Sequence, residues 1–586
     1  MAESIVSPGV FQRENDISFI TPAPLEAGAA ILGPTVKGPV EVPTVVTSYN
    51  EYVRKFGDTV KSGSNNYEYL TSIAVKSYFS QGGNSCLVTR IVSGSHTEAD
   101  NTIVSATTAS ADNPFTIRTL GKGTIYNNAT SSKGSDIAEN SDASLVSGSV
   151  DNLRWEISNV NTSKGTFTLS VRRGDDNHKN KVILETFNNL TLDPNSDNFI
   201  QKQIGDTITY KATDGAGTKY IATSGSYSNK SNYIRIPSVP HATLDYLGAD
   251  GTTVQSGSST GNSEGFDRHL PTAQSGSFYN ASGDDRALST NTFFENISAQ
   301  SQGVIGTSYS DAISILENTD EYLFNVISTP GLTYNLHSST LDTVISLAET
   351  RGDCIAVVDL YSYGATLANV TGEAESLNTS YAASYWPWLQ ARSANGSNVW
   401  VPASTFIPGV FAFTDGAAAP WFAPAGLVRG GIPGVLQAER KLTRSDRDTL
   451  YEAKVNPIAT FPGTGIAIFG QKTLQTKAGA LDRVNVRRLL IDLKKFIGDQ
   501  ATNLVFEQNT ITTRNKFLAA VNPYLDSVVQ RQGLYAFRVV MDDTNNTADV
   551  IDRNQLVGQI YIQPAKTAEF IVLDFVVEPT GATFGA

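Results

Sequence analysis

Apolar side chains follow one another almost without interruption near the end of the chain, in residues 569–579, which read E-F-I-V-L-D-F-V-V-E-P. In an extended strand this segment has one wholly apolar face and one nearly apolar face, because successive side chains point to opposite sides. The apolar positions are Phe570, Ile571, Val572, Leu573, Phe575, Val576 and Val577. Such a strand needs cover on both faces and partners along its edges. The segment therefore predicts either a central strand of the chain's own sheet or a strand shared with another copy.

The first twenty residues predict an extended arm. Pro8 and Gly9 interrupt regular structure, and a polar run separates two short strand-like pieces. The apolar residues of these pieces include Val10, Phe11, Ile17 and Phe19. The arm is too polar to bury itself, so we expect its ends to pair with another part of a sheet.

Helical spacing of apolar residues recurs before residue 92 and after residue 309. It predicts helices over 49–57, 67–79, 310–316, 338–350, 445–450, 485–497 and 512–533. Ser445 is expected to cap one of them, and Pro523 to break or kink the last. Residues 323–327 and 354–359 read as strands, so the strand–helix–strand order predicts a partly parallel sheet. Further strands are expected over 535–541, 559–562 and 570–577.

Residues 93–300 have a different character. They are rich in Ser, Thr, Asn, Asp and Gly, with short alternating stretches such as 155–171 and 181–187. This pattern predicts one or two β-rich insertion domains with long exposed loops. The chain as a whole is therefore predicted to be a multidomain α+β or α/β protein.

Composition and charge exclude several classes of protein. Of the 586 residues, 40% are hydrophobic and 17% charged, and the formal net charge is −13. No long Lys/Arg run is present, so nucleic-acid binding has little support. Two cysteines, Cys86 and Cys354, are too few for a disulfide framework and favour a reducing compartment. We expect neither a signal peptide nor a transmembrane helix, and no direct membrane insertion.

Candidate catalytic and metal-binding groups are sparse. The five histidines have no nucleophile motif beside them. The run Asp175 to His178 has no second ligand pair at zinc-like spacing, and residues 542–552 lack the glycine and terminal Glu of a calcium loop. No phosphate-binding Gly-Lys-Ser/Thr loop occurs. The sequence therefore predicts no catalytic site, no metal site and no cofactor.

Motifs at both ends of the chain point to one family. The N-terminal part contains P-G-V-F, A-A-I-L-G-P-T-V-K-G-P-V, V-T-S-Y-N-E-Y-V-R-K-F-G-D, Q-G-G-N and C-L-V-T-R-I, in that order. The C-terminal part contains A-P-W-F-A-P-A-G-L-V-R-G, V-N-V-R-R-L-L, G-L-Y-A-F-R-V-V-M-D-D-T-N-N-T and I-Y-I-Q-P. Together they resemble the contractile tail sheath proteins of myovirus-type bacteriophages. The residues that match the family signature are Asp415, Trp421, Phe422, Ala423, Pro424, Ala425 and Gly426.

This resemblance implies a structural, non-enzymatic subunit. It implies self-assembly into hexameric rings, stacked as a helical sleeve around a tail tube, with baseplate and tail terminator proteins as further partners. Contraction from a metastable extended state would drive the tube through the host envelope for genome delivery. The expected location is the virion, after assembly in the host cytoplasm.

The expected domain division follows the family pattern. It comprises an arm (1–20), a middle α/β domain (21–92 and 301–400), an outward-facing β-rich insertion (93–300) and a C-terminal sheath core (401–586). The C-terminal sheath core is expected to end in an exchanged strand at 569–579. We expect this strand and the N-terminal arm to add to the sheet of neighbouring subunits.

A cationic surface is predicted on the helix 485–497. Its residues are Arg487, Arg488, Lys494 and Lys495. They are candidates to contact the tail tube or a neighbouring subunit, and an ordinary solvated helix face is the alternative. Two other functions remain open at this stage: a virion enzyme that degrades a surface polysaccharide, and a receptor- or glycan-binding module within residues 93–300.

Overall fold

The computed structural model describes residues 25–62, 65–105, 113–127, 140–145, 148–248, 250–255, 265–283, 300–302, 304–463 and 465–570. The predicted arm, with Val10, Phe11, Ile17 and Phe19, lies outside these ranges. The predicted final strand also lies outside the described ranges, except for Phe570. Its residues outside them include Ile571, Val572, Leu573, Phe575 and Val577.

Strands occur along the whole described chain. They are β1 (Leu25–Gly33), β2 (Thr44–Val46), β3 (Thr59–Ser62), β4 (Asn65–Glu68), β5 (Cys86–Arg90), β6 (Glu98–Thr102), β7 (Thr116–Lys122), β8 (Leu153–Asn161), β9 (Thr166–Arg173), β10 (Ile183–Leu190), β11 (Ile208–Thr213), β12 (Lys219–Ser224), β13 (Ile234–Ser238), β14 (Gln274–Ser277), β15 (Gln300–Ser301), β16 (Val304–Ile305), β17 (Tyr322–Thr333), β18 (Ile355–Asp359), β19 (Ala382–Trp386), β20 (Leu389–Arg392), β21 (Asn398–Val401), β22 (Val435–Ala438), β23 (Asn456–Phe461), β24 (Gly465–Ile468), β25 (Leu534–Val540) and β26 (Gln559–Pro564).

The α-helices concentrate in the two parts where helical spacing predicts them. They are α1 (Tyr49–Phe56), α2 (Leu70–Ser80), α3 (Ile200–Ile204), α4 (Ser310–Ile315), α5 (Tyr334–Arg351), α6 (Leu367–Ser376), α7 (Ile407–Ala417), α8 (Gly426–Arg429), α9 (Arg444–Glu452), α10 (Val484–Thr502), α11 (Ile511–Gln530) and α12 (Ala548–Asp552).

The largest sheet has the strand order β2-β5-β1-β17-β18-β19-β23-β24. Its inner pairs are parallel, and the outer strands β2 and β24 pair antiparallel. The predicted parallel strand–helix–strand unit is confirmed as β17-α5-β18. Strand β17 continues through Pro330 to Thr333, beyond the end expected from the sequence, with a register shift between Ser328 and Thr333.

Both faces of this sheet are buried. Alternate residues enter two separate cores: Ile31 and Val357 face α1, α2 and α7, whereas Leu32 and Val358 face α4, α5 and α6. A parallel sheet needs cover on both faces, which accounts for the continuous apolar runs of its strands. Cys86 and Cys354 lie in these cores as free, buried thiols.

Helix ends follow local capping chemistry, with one correction. Ser48 caps α1 by accepting from the backbone N–H of Glu51, and Gly57 ends the helix at φ +72°. The residue that caps α9 is Thr443, not Ser445, because Thr443 and Asp446 form a reciprocal capping box. Helix α11 runs through Pro523 without ending there, held by packing of Val521 and Leu525 into a core.

The insertion is β-rich, as predicted. Its sheets have the orders β10-β9-β8-β14 and β13-β7-β6, and β11 pairs with β12. The insertion does not bury a core of its own residues alone, because Val36, Val60, Tyr67 and Tyr69 from the preceding segment pack into it.

The expected boundary at residue 400 is wrong for the sheet, since β23 and β24 extend it to Ile468. Residues after β24 form a further layer, in which α10, α11 and the hairpin β25–β26 pack around an apolar core that Ala419 and Trp421 also enter. Among the described residues, no helix has the length and apolar character needed to cross a bilayer.

Candidate assembly surface in the C-terminal half

Helix α10 connects the central sheet to the C-terminal layer. Leu489 and Leu493 pack against α11, in line with the predicted apolar stripe. Val484 and Ile491 point elsewhere, into the core on the α7 side of the sheet. The N-terminal half of α10 is therefore covered on two sides, and this decides the environment of its arginines.

Arg488 is buried against α7. Its Nη2 donates to both carboxylate oxygens of Asp415, at 2.7 and 2.6 Å, and its guanidinium carbon lies 4.5 Å from the ring centroid of Phe411. The geometry is a charge-assisted pair in a largely dry setting. Burial raises the pKa of the Asp415 carboxyl, and the nearby Arg488 opposes that shift. The expectation that Arg488 lies on an exposed cationic face is wrong.

Arg487 is also buried, and it contacts the chain before β19 instead of α7. Its Nε donates to the backbone oxygen of Ser380 at 3.2 Å, and its guanidinium stacks 3.9 Å from the ring centroid of Tyr381. Burial lowers the pKa of this guanidinium. The prediction that Arg487 lies on an exposed cationic face is therefore wrong as well. Lys494 is exposed and its Nζ lies 3.1 Å from Tyr381 Oη, and Lys495 is half-buried, so these two are the cations of the predicted face that reach the surface.

The signature segment joins α7 to the C-terminal layer. Trp421 is buried, its Nε1 donates to the backbone oxygen of Arg531 at 3.0 Å, and its own backbone oxygen accepts from Asn485 Nδ2 at 3.3 Å. Phe422 stacks on Arg429, whose Nε donates to the backbone oxygen of Ala423. The remaining signature residues complete the turn into α8: Pro424 is buried, Ala425 precedes the helix, and Gly426 starts it at φ +84°. The signature is thus a packing junction.

The hairpin β25–β26 presents open edges. Its strands pair antiparallel from Leu534–Pro564 to Val540–Gln559, and no further described strand joins them. One face, with Phe537 and Ile562, packs toward α11, and the other exposes Tyr535 and Tyr561. A two-stranded ribbon is marginal by itself, and an unpaired edge is a template for another strand.

The chain that follows this hairpin is anchored at Glu569. Oε1 of Glu569 accepts from Arg483 Nε at 2.7 Å and Gln471 Nε2 at 2.9 Å, and Oε2 accepts from Tyr451 Oη at 2.7 Å. Burial opposes ionisation of Glu569, but these three hydrogen bonds outweigh it and leave the pKa of the carboxyl below its ordinary value. Phe570, the next residue, is exposed. Glu569 therefore fixes the chain at the last described residues, directly before the predicted strand.

A cleft of about 370 Å³ lies beside this anchor, between the start of α10 and residues 564–570. Arg483 and Glu569 line it, together with Phe570. Within the described part of the chain, no group of three or more His, Cys, Asp or Glu side chains could hold a metal ion.

Known proteins resemble the C-terminal half most clearly. Residues 302–474 match the family described as phage tail sheath protein central domain, and residues 476–578 match the phage tail sheath C-terminal domain. The junction between these matches follows β24 and supports a boundary well beyond residue 400. Arg488, Asp415 and Glu569 all lie within the matched ranges.

Two curated relatives are each named tail sheath protein. The tail sheath protein of Vibrio phage KVP40 is 36% identical over 284 residues, covering 48% of this chain and 42% of that protein. The tail sheath protein of Enterobacteria phage T4 is 34% identical over 286 residues, covering 46% of this chain and 43% of that protein. The match therefore spans less than half the length of each relative.

A solved structure extends the likeness of the fold over most of the chain. The crystal structure of the sheath tail protein Lin1278 from Listeria innocua superposes with a TM-score of 0.52. The superposition covers 92% of this chain and 95% of the other, at 9% sequence identity. At this identity the likeness concerns the fold alone.

Proposed function

The chain belongs to the phage tail sheath family through residues 302–578, and from this premise we propose that it is the structural subunit of a contractile tail sheath. Copies assemble as stacked hexameric rings around a tail tube. The sleeve contracts from a metastable extended state and drives the tube through the host envelope. It acts as a virion component, assembled in the host cytoplasm, without cofactor or catalysis.

The observation that carries this proposal is that one chain contains both a hairpin with open edges and, after the Glu569 anchor, an apolar segment with the sequence of a strand. The edges of β25 and β26 offer unpaired backbone groups, and the segment 570–577 can supply a strand. Strand addition gives many main-chain hydrogen bonds with little demand on side-chain identity. The donor and the acceptor are different surfaces, so the contact is heterologous and propagates from copy to copy.

The N-terminal arm is the proposed second donor. Val10, Phe11, Ile17 and Phe19 give it strand-forming ends, and Pro22 and Pro24 stiffen the connection to β1. Together with Ile571, Val572, Leu573, Phe575 and Val577 of the other arm, it would complete a sheet on a neighbour's hairpin. Paired arms would tether subunits while the folded domains rotate during contraction. The tail tube, the baseplate and the tail terminator remain proposed partners.

Electron microscopy of the purified chain tests the proposed function. We expect striated tubular sleeves from the wild-type protein, and their absence under all polymerising conditions would count against a sheath subunit. Deletion of residues 1–20, or replacement of Leu573 and Phe575 by Asp, is expected to leave soluble protein that does not polymerise.

Ile183→Asp is a matched control, since Ile183 is an exposed apolar residue of β10 in the insertion. Circular dichroism must show that each variant is folded. Regular sleeves that contract intact without the arm would exclude strand exchange while leaving the sheath function in place.

A further inference from the structure

The loop between α10 and α11 displays an unusual apolar projection. Phe506 is fully exposed and has φ +71°, in the left-handed region that bulky residues rarely adopt. Its neighbours Val505 and Ile511 are 60% and 67% exposed. We call Val505, Phe506 and Ile511 the loop knob. Exposure of a large aromatic side chain and a strained backbone are both unfavourable, so the loop must be held by something other than Phe506.

The base of the loop supplies that support. Leu504 turns inward and packs against the C-terminal core. Asn509 Nδ2 donates to the backbone oxygen of Gln555 at 2.8 Å, and its Oδ1 accepts from Arg514 Nε at 2.8 Å. Arg514 is itself buried and paired with Asp543. The knob is therefore presented on a fixed base, which reduces the entropy lost when a partner binds it.

A second apolar surface lies around α8, β22 and the end of β24. Val428 is 83% exposed on α8, beside exposed Leu427, and Leu436 on β22 and Phe469 after β24 are exposed as well. Helix α8 contacts β24, and β22 contacts β24, so these side chains belong to one region. We call them the α8–β24 patch. Contiguous exposed apolar side chains of this kind mark interaction sites.

The knob and the patch lie at opposite ends of α10. Asn485, in the first turn of α10, contacts Trp421, which is six residues before Leu427. The loop knob follows the last residue of α10, Thr502. Seventeen residues of helix span about 26 Å, so the knob cannot reach the patch of its own chain. Contact between the two surfaces requires two copies.

Charges around the two surfaces are complementary. Exposed Asp499 and Glu507 flank the knob along the chain, exposed Asp543 pairs with Arg514 at its base, and Lys516 follows on α11. Beside the patch, the segment leading into α9 and its first turns carry exposed Arg440, Lys441 and Arg444. Arg447 lies in the same helix, with its guanidinium carbon 5.3 Å from the ring centroid of Phe469. An acidic rim facing a basic rim steers and orients association.

We propose that the loop knob of one subunit inserts into the α8–β24 patch of another copy of this chain. The proposal rests on the proposed function, because only a polymer places the C-terminal halves of many copies side by side. The contact is head-to-tail and therefore adds to polymer growth without closing on itself. It is separate from the strand exchange, since it uses side chains on rigid elements and not the terminal arms.

Side-chain removal at Phe506 tests the contact without disturbing the fold. Glycine accepts φ +71° without strain, so Phe506→Gly should keep or raise the thermal stability of the monomer. It should raise the critical concentration for sleeve formation by about tenfold or more, equivalent to at least about 1.4 kcal/mol. Gln532→Gly is the matched control, because Gln532 is exposed at φ +63° but polar.

Cysteine cross-linking identifies the partner. Both native cysteines are buried, so Phe506→Cys and Val428→Cys introduce the accessible thiols on these surfaces. A mixture of the two variants should give an intermolecular disulfide in assembled sleeves, and Glu507→Lys should weaken assembly until Lys441→Glu restores it. Sleeves that form normally with Phe506→Gly and show no 506–428 disulfide overturn the proposal. Cross-linking of position 506 to the tube protein also overturns it, whereas wild-type protein that makes no sleeve overturns the proposed function instead.

Discussion

Arg488 and Asp415 join α10 to α7 across 73 residues of sequence, through two hydrogen bonds from one guanidinium nitrogen to both carboxylate oxygens. The pair lies beside the signature segment, between the central sheet and the C-terminal layer. A contact in this position transmits the orientation of one layer to the other. In the proposed contracting sleeve, such a contact would keep the two layers of each subunit in one relative orientation.

Removal of one partner of this pair should destabilise the protein. Asp415→Asn leaves a buried guanidinium without its counter-charge, and we expect a loss of about 2 kcal/mol in the free energy of unfolding. The value is below that of a fully buried pair because the Asp415 side chain is 30% exposed. Chemical denaturation measures it. Asp549→Asn, which breaks the exposed pair with Arg553, is the control and should have no measurable effect.

The insertion contains a more deeply buried network. Asp176 accepts from Arg172 at 2.8 Å through both of its oxygens and from Arg154 at 3.3 Å, and both arginine side chains are wholly buried. Asp176→Asn should cost about 3 kcal/mol or more, because two buried cations lose their shared anion. The neighbouring Asp175→Asn is the control. An unchanged thermal unfolding profile for Asp176→Asn would contradict the expectation.

Asp359 should make stability depend on pH. It is buried at the end of β18, where it accepts from the backbone N–H and the hydroxyl of Ser404. Desolvation by burial raises the pKa of its carboxyl from 3.8 to about 7, although the hydrogen bonds from Ser404 act to lower it. The folded state therefore binds this proton more tightly than the unfolded chain does. The resulting contribution to the stability of the fold is complete below about pH 4 and is lost as the pH rises to about 7.

Replacement by asparagine should remove that dependence. Above pH 7, Asp359→Asn is expected to be more stable than the wild-type protein by up to about 4 kcal/mol, with little difference near pH 4. Urea unfolding between pH 4 and pH 8 measures both values. Asp448→Asn on the exposed side of α9 serves as the control. A variant that keeps the wild-type slope would show that Asp359 is not the responsible group.

Local patterns predicted most helices and some of the strands, since these elements depend on spacing and capping within a few residues. The βαβ order at residues 322–359 and the helix α1 with Gly57 are examples. Tertiary environments were harder to predict. The stripe Leu489–Leu493 identified one buried face of α10, but Val484 and Ile491 bury a second one, and the two arginines fall inside it.

A signal for this second face was present in the sequence. Asp415 is the single charged residue of the otherwise apolar helix α7, and an isolated charge of this kind calls for a partner. The shared core of the insertion had no such signal. Val60 and Tyr67 lie on a short hairpin, and only the fold brings them to β7 and β8.

Lys494 and Lys495 are the part of the predicted cationic face that stays at the surface. Their contact with the tube or a neighbouring subunit is still a prediction. Charge reversal of both to Glu should weaken sheath–tube co-assembly most at low salt, because exposed charges are screened at higher ionic strength. Lys164→Glu, on the exposed turn between β8 and β9 of the insertion, is the control. Unchanged co-sedimentation with the tube at low salt would identify the pair as ordinary solvated cations.

The insertion should be dispensable for polymerisation. Ser93 Oγ and Ser308 Oγ lie 3.4 Å apart, so the chain leaves and re-enters the central domain at one place. A short Gly/Ser linker can therefore replace residues 94–303 without pulling β5 away from α4. Receptor or glycan binding by this region stays a prediction, and glycan binding by the full chain, compared with the deletion variant, addresses it.

Deletion of the insertion also uncovers part of its core. Val36, Val60, Tyr67 and Tyr69 would become exposed, and Lys211 would no longer bridge Glu41 and Asp311. The deletion variant should therefore carry polar replacements at Val60 and Tyr67, and the same replacements in the full chain are the control. We expect the deletion variant to unfold cooperatively and to form sleeves of reduced outer diameter, because the proposed assembly contacts lie outside residues 94–303. A cooperatively folded deletion variant that stays monomeric would mean that the insertion contributes contacts between subunits.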